Sequence, residues 1–146
     1  MLTRITFIAC IVASSIASAD VRVPRLFGDN MILQQNTINA VWGFADLVEQ
    51  VTVTASWGAK ANAVTNQKGE WKVLLPTPEH GTGFSLTIRG SNEIEIENVA
   101  IGEVWLCAGQ SNMGWAVRMT FGGEEEAATA DAPGFRIFRS SREHWH

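Results

Sequence analysis

The residues best placed to do chemistry stand together as Gly109-Gln110-Ser111-Asn112-Met113. They follow a continuous apolar run, Val104-Trp105-Leu106-Cys107-Ala108. Such a run suits a strand buried on both faces, as in a parallel sheet covered by helices. Gly109-Gln110 permits a tight turn, and Asn112 to about Thr120 reads as a short helix with Met113, Ala116 and Val117 on one face. A serine there projects from the carboxyl end of a strand, where open α/β sheets place their ligands. Its N–H lies at a helix start, where partial positive charge can stabilise the oxyanion formed when a hydroxyl attacks an ester carbonyl. The pattern is not the Gly-x-Ser-x-Gly elbow, because Met113 stands where the second glycine belongs. Spacing alone leaves a second reading open, in which Ser111 only caps the following helix.

Other reactive side chains carry less. Cys107 sits in the apolar run with no charge beside it to favour a thiolate, so a buried structural thiol is expected. His80 lies in a Pro-x-Glu-His-Gly turn and reads as a surface residue. His144 and His146 close the chain and receive no catalytic role. The second half shows no Cys/His cluster with zinc spacing.

The elements that must hold Ser111 come in two grammars. From Asp20 to about Ala100 the period is two. Val51, Val53, Ala55 and Trp57 alternate with Thr52, Thr54 and Ser56, and Phe84, Leu86 and Ile88 alternate with Ser85, Thr87 and Arg89. Glu93, Glu95 and Glu97 alternate with Ile94 and Ile96, as on the solvated face of an edge strand. Turn signals separate these runs at Gly28-Asp29-Asn30, Asn66 to Gly69, His80 to Gly83 and Gly90-Ser91-Asn92. Short strands at this spacing predict a mostly antiparallel β-sandwich over residues 20–101. Trp42, Trp57 and Trp71 fall on apolar phases of strands, which favours core packing over a sugar-stacking platform.

The grammar changes at Gly102. After the apolar run and the short helix, Glu124 to Ala130 reads as a second helix with acidic residues in its first turn. Phe135 to Phe138 reads as the next strand. Residues 102–146 therefore look like the opening β-α-β of an α/β domain. A single such unit cannot bury both faces of its sheet, so the chain is expected to be a fragment of a longer design.

Residues 1–19 are excluded from the fold. Met1 to Arg4 is a short basic start, and Ile5 to Ile16 is about a dozen apolar residues, within the roughly 7–15 of a signal-peptide core. Ala17-Ser18-Ala19 is a small-x-small cleavage site. Export to the periplasm or exterior is expected, with no membrane span after signal removal. Loss of residues 1–19, whose one charged side chain is Arg4, takes the formal charge from −4 to −5. That balance, without a basic stripe, argues against nucleic acid as a partner. The sequence sets no oligomeric state.

Gly102 to Met113 closely resembles a Gly-[Asp/Glu]-Val-Trp-Leu-Cys-x-Gly-Gln-Ser-Asn-Met block of the sialate O-acetylesterase-like family, a branch of the SGNH hydrolases. Phe27 to Gln35 is similar to the family's Leu-Phe-x-Asp-x-Met-x-Leu-Gln opening. Val41 to Ala45 resembles a Trp-Gly-x-Ala element, Gly69-Glu70-Trp71 a Gly-x-Trp turn, and Phe135 to Phe138 a later strand. The resemblance implies a secreted serine carbohydrate esterase that acts on an O-acetylated carbohydrate. Ser111 would be the nucleophile, and Gln110 and Asn112 would position the turn and line the pocket. No metal or organic cofactor is implied. The family's base, in an Asp-x-x-His block, has no counterpart here, so the fragment alone is expected to be nearly inactive. Ala108 and Gly114 depart from the serine and acidic residue common in the family. An alternative is a non-catalytic secreted β-sandwich that binds a glycan or protein. A third is a gene product that never folds stably.

Overall fold

The computed structural model describes residues 20–139. The expected signal peptide, Cys10, His144 and His146 lie outside the described residues. Seven strands account for most of the regular structure: β1 Ile32–Gln34, β2 Ile38–Phe44, β3 Gln50–Ala55, β4 Lys60–Val64, β5 Glu70–Pro76, β6 Gly81–Arg89 and β7 Glu93–Gly102. One helix follows, α1 Gly123–Thr129.

The strands form two sheets. The larger is mixed, in the order β1-β7-β6-β3-β4, and the smaller is the antiparallel pair β2-β5. Only β1 and β7 run parallel, with Ile32 opposite Ala100 and Gln34 opposite Gly102. Arg22 bridges Phe44 and extends the small sheet by one short step.

The period-two reading is met residue by residue. Val51, Val53 and Ala55 of β3 are buried, as are Trp71, Val73 and Leu75 of β5. Leu86, Ile88, Ile96 and Val99 join the same cluster with Val41 of β2, so the inner faces of both sheets share one core. Alternation does this because successive side chains of a strand leave opposite faces. The glutamate comb is solvated and lies on the stretch of β7 that β1 leaves unpaired, as expected of an edge. β7 is covered by β1 at its carboxyl end and is open only along Glu93–Glu97.

Two turn signals resolve differently. Gly90-Ser91-Asn92 joins β6 to β7, closed by an Arg89–Glu93 ion pair. Gly83 does not turn the chain; it lies inside β6, at a shift in the β6–β7 register. A second shift, between the pairs Phe84–Val99 and Leu86–Ile96, makes a bulge in β7 at Glu97-Asn98, where Asn98 has φ of 51°. A bulge adds one residue to one strand and re-aims its side chain.

The tryptophans divide. Trp71 is 2% exposed and lies in the core. Trp57 is half-buried, packs edge-on against Phe84 and donates its Nε1–H to the Pro76 carbonyl. Trp42 corrects the core expectation: it is 38% exposed on the outer face of β2. The reason is phase, since Val41 and Gly43 take the inward positions on either side of it.

The larger correction concerns residues 103–139. Val104–Ala108 has no ladder partner among the described residues and stands exposed. Phe135–Phe138 is likewise not a strand. A strand buried on both faces requires pairing neighbours and covering helices, and neither is supplied by the described residues. The helix expected over Asn112–Thr120 is instead two short 3₁₀ turns, Ser111–Gly114 and Val117–Met119. The helix expected at Glu124–Ala130 is present as α1, shifted by one residue.

Candidate active site

The segment that carries Ser111 leaves the sandwich where β7 ends. Its first residues are held by the end of β1. The Gln34 side-chain carbonyl accepts the Val104 N–H at 2.8 Å, and its Nε2 donates to Glu103 Oε2 at 3.2 Å. Gln35 Nε2 donates to Glu103 Oε1 at 2.6 Å. Both carboxylate oxygens of Glu103 are thus occupied. These bonds, Gln35 first and then Gln34, hold its carboxyl below the usual carboxylate range, because they favour the charged form. Gln35 Oε1 also accepts the His80 N–H at 3.0 Å. His80 therefore reaches this junction through its backbone.

Ser111 opens the 3₁₀ turn and is exposed, with Gln110 at φ −99° and ψ −142° before it. No side-chain bond caps this turn. The Met113 N–H closes it on the Gln110 carbonyl at 3.0 Å. The Met113 side chain lies close over Gly109: a Cβ there would meet Met113 Cγ at 2.5 Å. Gln110 and Asn112 flank Ser111 in sequence and are exposed beside it. The parallel sheet on whose carboxyl edge Ser111 was expected to stand is not formed by the described residues.

Around this turn the apolar side chains are uncovered. Trp105 is 81% exposed and Leu106 93%, and Trp115, Phe121, Phe135 and Ile137 are also exposed. Cys107 is a free and exposed thiol, which corrects the expectation of a buried one. The cause is the same missing cover over Val104–Ala108. Two shallow grooves lie elsewhere. One is lined by Thr52, Thr54, Lys60, Thr87 and Arg89, the other by Trp42, Phe44, Asn66, Glu70 and Lys72 with Gly43 and Trp71. Neither includes a residue of the Ser111 segment. Among the described residues no group of three or more His, Cys, Asp or Glu gathers to hold a metal ion. Among the same residues no helix is long and apolar enough to cross a membrane.

The link between Gln34, Gln35 and Glu103 was not foreseen from sequence. Its signal was present: the Phe27–Gln35 block and the Gly102–Met113 block each end or begin on these residues. Two motifs far apart in sequence thus meet in space.

The chain is similar in backbone to a carbohydrate acetylesterase. The crystal structure of such an enzyme from Xanthomonas citri aligns with a TM-score of 0.71 at 30% identity, covering 77% of this chain and 26% of that one. In sequence it is similar to sialate O-acetylesterases. It is 35% identical to the sialate O-acetylesterase of Rattus norvegicus over 123 residues, which covers 76% of this chain and 23% of the rat protein. It is 30% identical to the sialate O-acetylesterase of Homo sapiens over 122 residues, with the same coverage. The chain therefore spans about a quarter of the length of the proteins it matches. No family model matches it.

Proposed function

We propose that these residues carry the nucleophile of a serine esterase that removes O-acetyl groups from sialic acid or a related carbohydrate. The observation that carries this reading is the joint likeness, in sequence and in backbone, to proteins named for acetyl-ester hydrolysis on carbohydrates. In this reading the chain corresponds to about a quarter of a hydrolase of the matched length, and residues 102–146 belong to its SGNH-type α/β domain. The uncovered Trp105, Leu106, Phe135 and Ile137 support this, since rows of exposed apolar side chains mark surfaces that another part of a protein covers. Once paired, Val104–Ala108 becomes a central strand and Ser111 stands at its carboxyl end.

The Ser111 Oγ attacks the acetyl carbonyl, the sugar oxygen leaves, and water then releases acetate from the acetyl-enzyme. The Ser111 N–H is one oxyanion donor, and Gln110 and Asn112 line the pocket. The base that takes the serine proton is a histidine oriented by an aspartate, supplied from outside these residues. Residues 1–19 direct export, so the reaction takes place in the periplasm or outside the cell.

The test joins this chain to the part of a sialate O-acetylesterase that follows the matched region. The joined protein should release acetate from O-acetylated sialic acid and be labelled by a fluorophosphonate probe. Ser111→Ala should abolish both, with a loss of roughly 10³-fold or more in rate. A folded joined protein whose activity survives Ser111→Ala would overturn the assignment.

One observation favours a second reading, a glycan-binding sandwich. Trp42 and Phe44 stand exposed on the outer face of β2 beside Asn66, Glu70 and Lys72. An aromatic face rimmed by polar groups suits a sugar ring. Polysaccharide retardation in affinity electrophoresis, lost in Trp42→Ala and unchanged in Ser111→Ala, would identify it.

A further inference from the structure

β1 is only three residues long, yet it meets the Ser111 segment at both ends. At its carboxyl end Gln34 and Gln35 hold Glu103 and the Val104 N–H, as described. At its amino end the chain returns. Arg136 Nη1 donates to the Met31 carbonyl at 2.7 Å and to the Asn98 carbonyl at 2.5 Å, and Nη2 donates to Asn98 Oδ1 at 3.2 Å. Asn98 is the bulge residue of β7, and its Nδ2 donates to Asn30 Oδ1 at 2.7 Å. The bulge therefore turns both a carbonyl and a side chain toward the guanidinium. The rise of a strand places Met31 and Gln34 about 10 Å apart. Residues 103–136, with Ser111 between them, are pinned at both ends to one short strand.

The anchor points are themselves fixed from the core side. The Gln34 carbonyl accepts the hydroxyl of buried Thr77 at 2.7 Å and the Asn39 Nδ2 at 2.9 Å. The Met31 carbonyl also accepts the Ala100 N–H at 2.9 Å. The pins themselves lie near the surface and cover no apolar core. They are charge-assisted and directional, with a carboxylate at one end and a guanidinium fork at the other. Surface bonds of this kind contribute little to global stability. Their effect is on orientation.

We propose that β1 is a bracket for the serine turn, and that Gln34, Gln35, Glu103 and Arg136 are positioning residues that set the turn's direction on the sandwich. The bracket rests on the esterase reading only for its purpose; its existence is tested without any ester. The experiment is amide hydrogen exchange by mass spectrometry on the full chain, read together with thermal unfolding. Gln34→Ala removes the acceptor of the Val104 N–H. Exchange of the Val104 amide should rise at least tenfold and exchange of the Met113 amide should rise with it, while the unfolding midpoint stays within about 2 °C. Gln34→Glu sets a like charge against Glu103 and should act in the same direction. The double variant Gln34→Glu/Glu103→Gln reverses donor and acceptor and should restore wild-type exchange. Arg136→Ala should loosen 135–138 and the turn together.

Unchanged exchange over 103–113 in Gln34→Ala and Arg136→Ala would overturn the bracket. So would a fall in the unfolding midpoint that matches the loss of local protection, or a double variant that fails to restore it. Failure of Ser111 labelling in the joined protein leaves these readings untouched and strikes the esterase assignment alone.

Discussion

Residues 20–102 and residues 103–139 draw on the same apolar residue types and use them in opposite ways. In the first region Val51, Val53, Leu75, Leu86 and Ile88 are wholly enclosed. In the second, Gly123 is the one buried residue among those described. The difference lies in how each pattern finds cover. An alternating strand brings one apolar and one polar face, and two such sheets can satisfy each other within some eighty residues. An apolar run such as Val104–Ala108 is apolar on both faces and needs strands beside it and helices above and below.

The contrast can be broken most forcefully at Ser111. In the joined protein Ser111→Ala should cost roughly 10³-fold or more in acetate release, while leaving the sandwich intact by circular dichroism. Next comes a pair of identical substitutions. Leu86→Ala empties a site that is 0% exposed and should cost about 2–5 kcal/mol in urea unfolding. Leu106→Ala, at a position 93% exposed, should fall within about 0.5 kcal/mol of the parent. Equal losses at the two sites would erase the distinction between the regions.

A third, smaller effect is expected at Gly43. A Cβ there would lie 2.1 Å from the Arg22 carbonyl oxygen and 2.8 Å from the Trp71 ring. Gly43→Ala should cost about 1–3 kcal/mol by overpacking and should loosen the Arg22–Phe44 bridge, visible as faster exchange at Arg22. The smallest effect concerns pH. The Glu103 carboxyl is lowered in the fold by its bonds from Gln35 and Gln34. Its contribution is therefore fully present above the ordinary carboxylate range and is lost as pH falls through the lowered folded value. NMR titration should show the Glu103 carboxyl carbon and the Val104 amide shifting together below the ordinary carboxylate midpoint. In Gln35→Ala that midpoint should rise.

The legibility of the sequence follows the same division. The alternation of Val51 to Ala55 and of Phe84 to Ile88 named the buried faces correctly, because period two is a local property of the strand. The phase of Trp42 was misjudged, since an apolar residue type does not say which face a strand turns inward. The turn before Ser111 was legible from Gly109-Gln110, because a turn signal is local. The strand before it was legible only as a demand for neighbours. The Gln34–Glu103 junction and the Arg136 fork were not legible from spacing, because they join residues 69 and 105 apart in sequence. The β7 bulge at Asn98 that aims one of them leaves no period-two signature.

The brevity of β1 has a further consequence. An exposed sheet margin normally offers a second molecule a template of unsatisfied amides, and so invites association strand upon strand. Here that margin spans three residues, and the chain beyond Gly102 occupies both of its ends. The segment that presents the serine thus also closes off both ends of that margin.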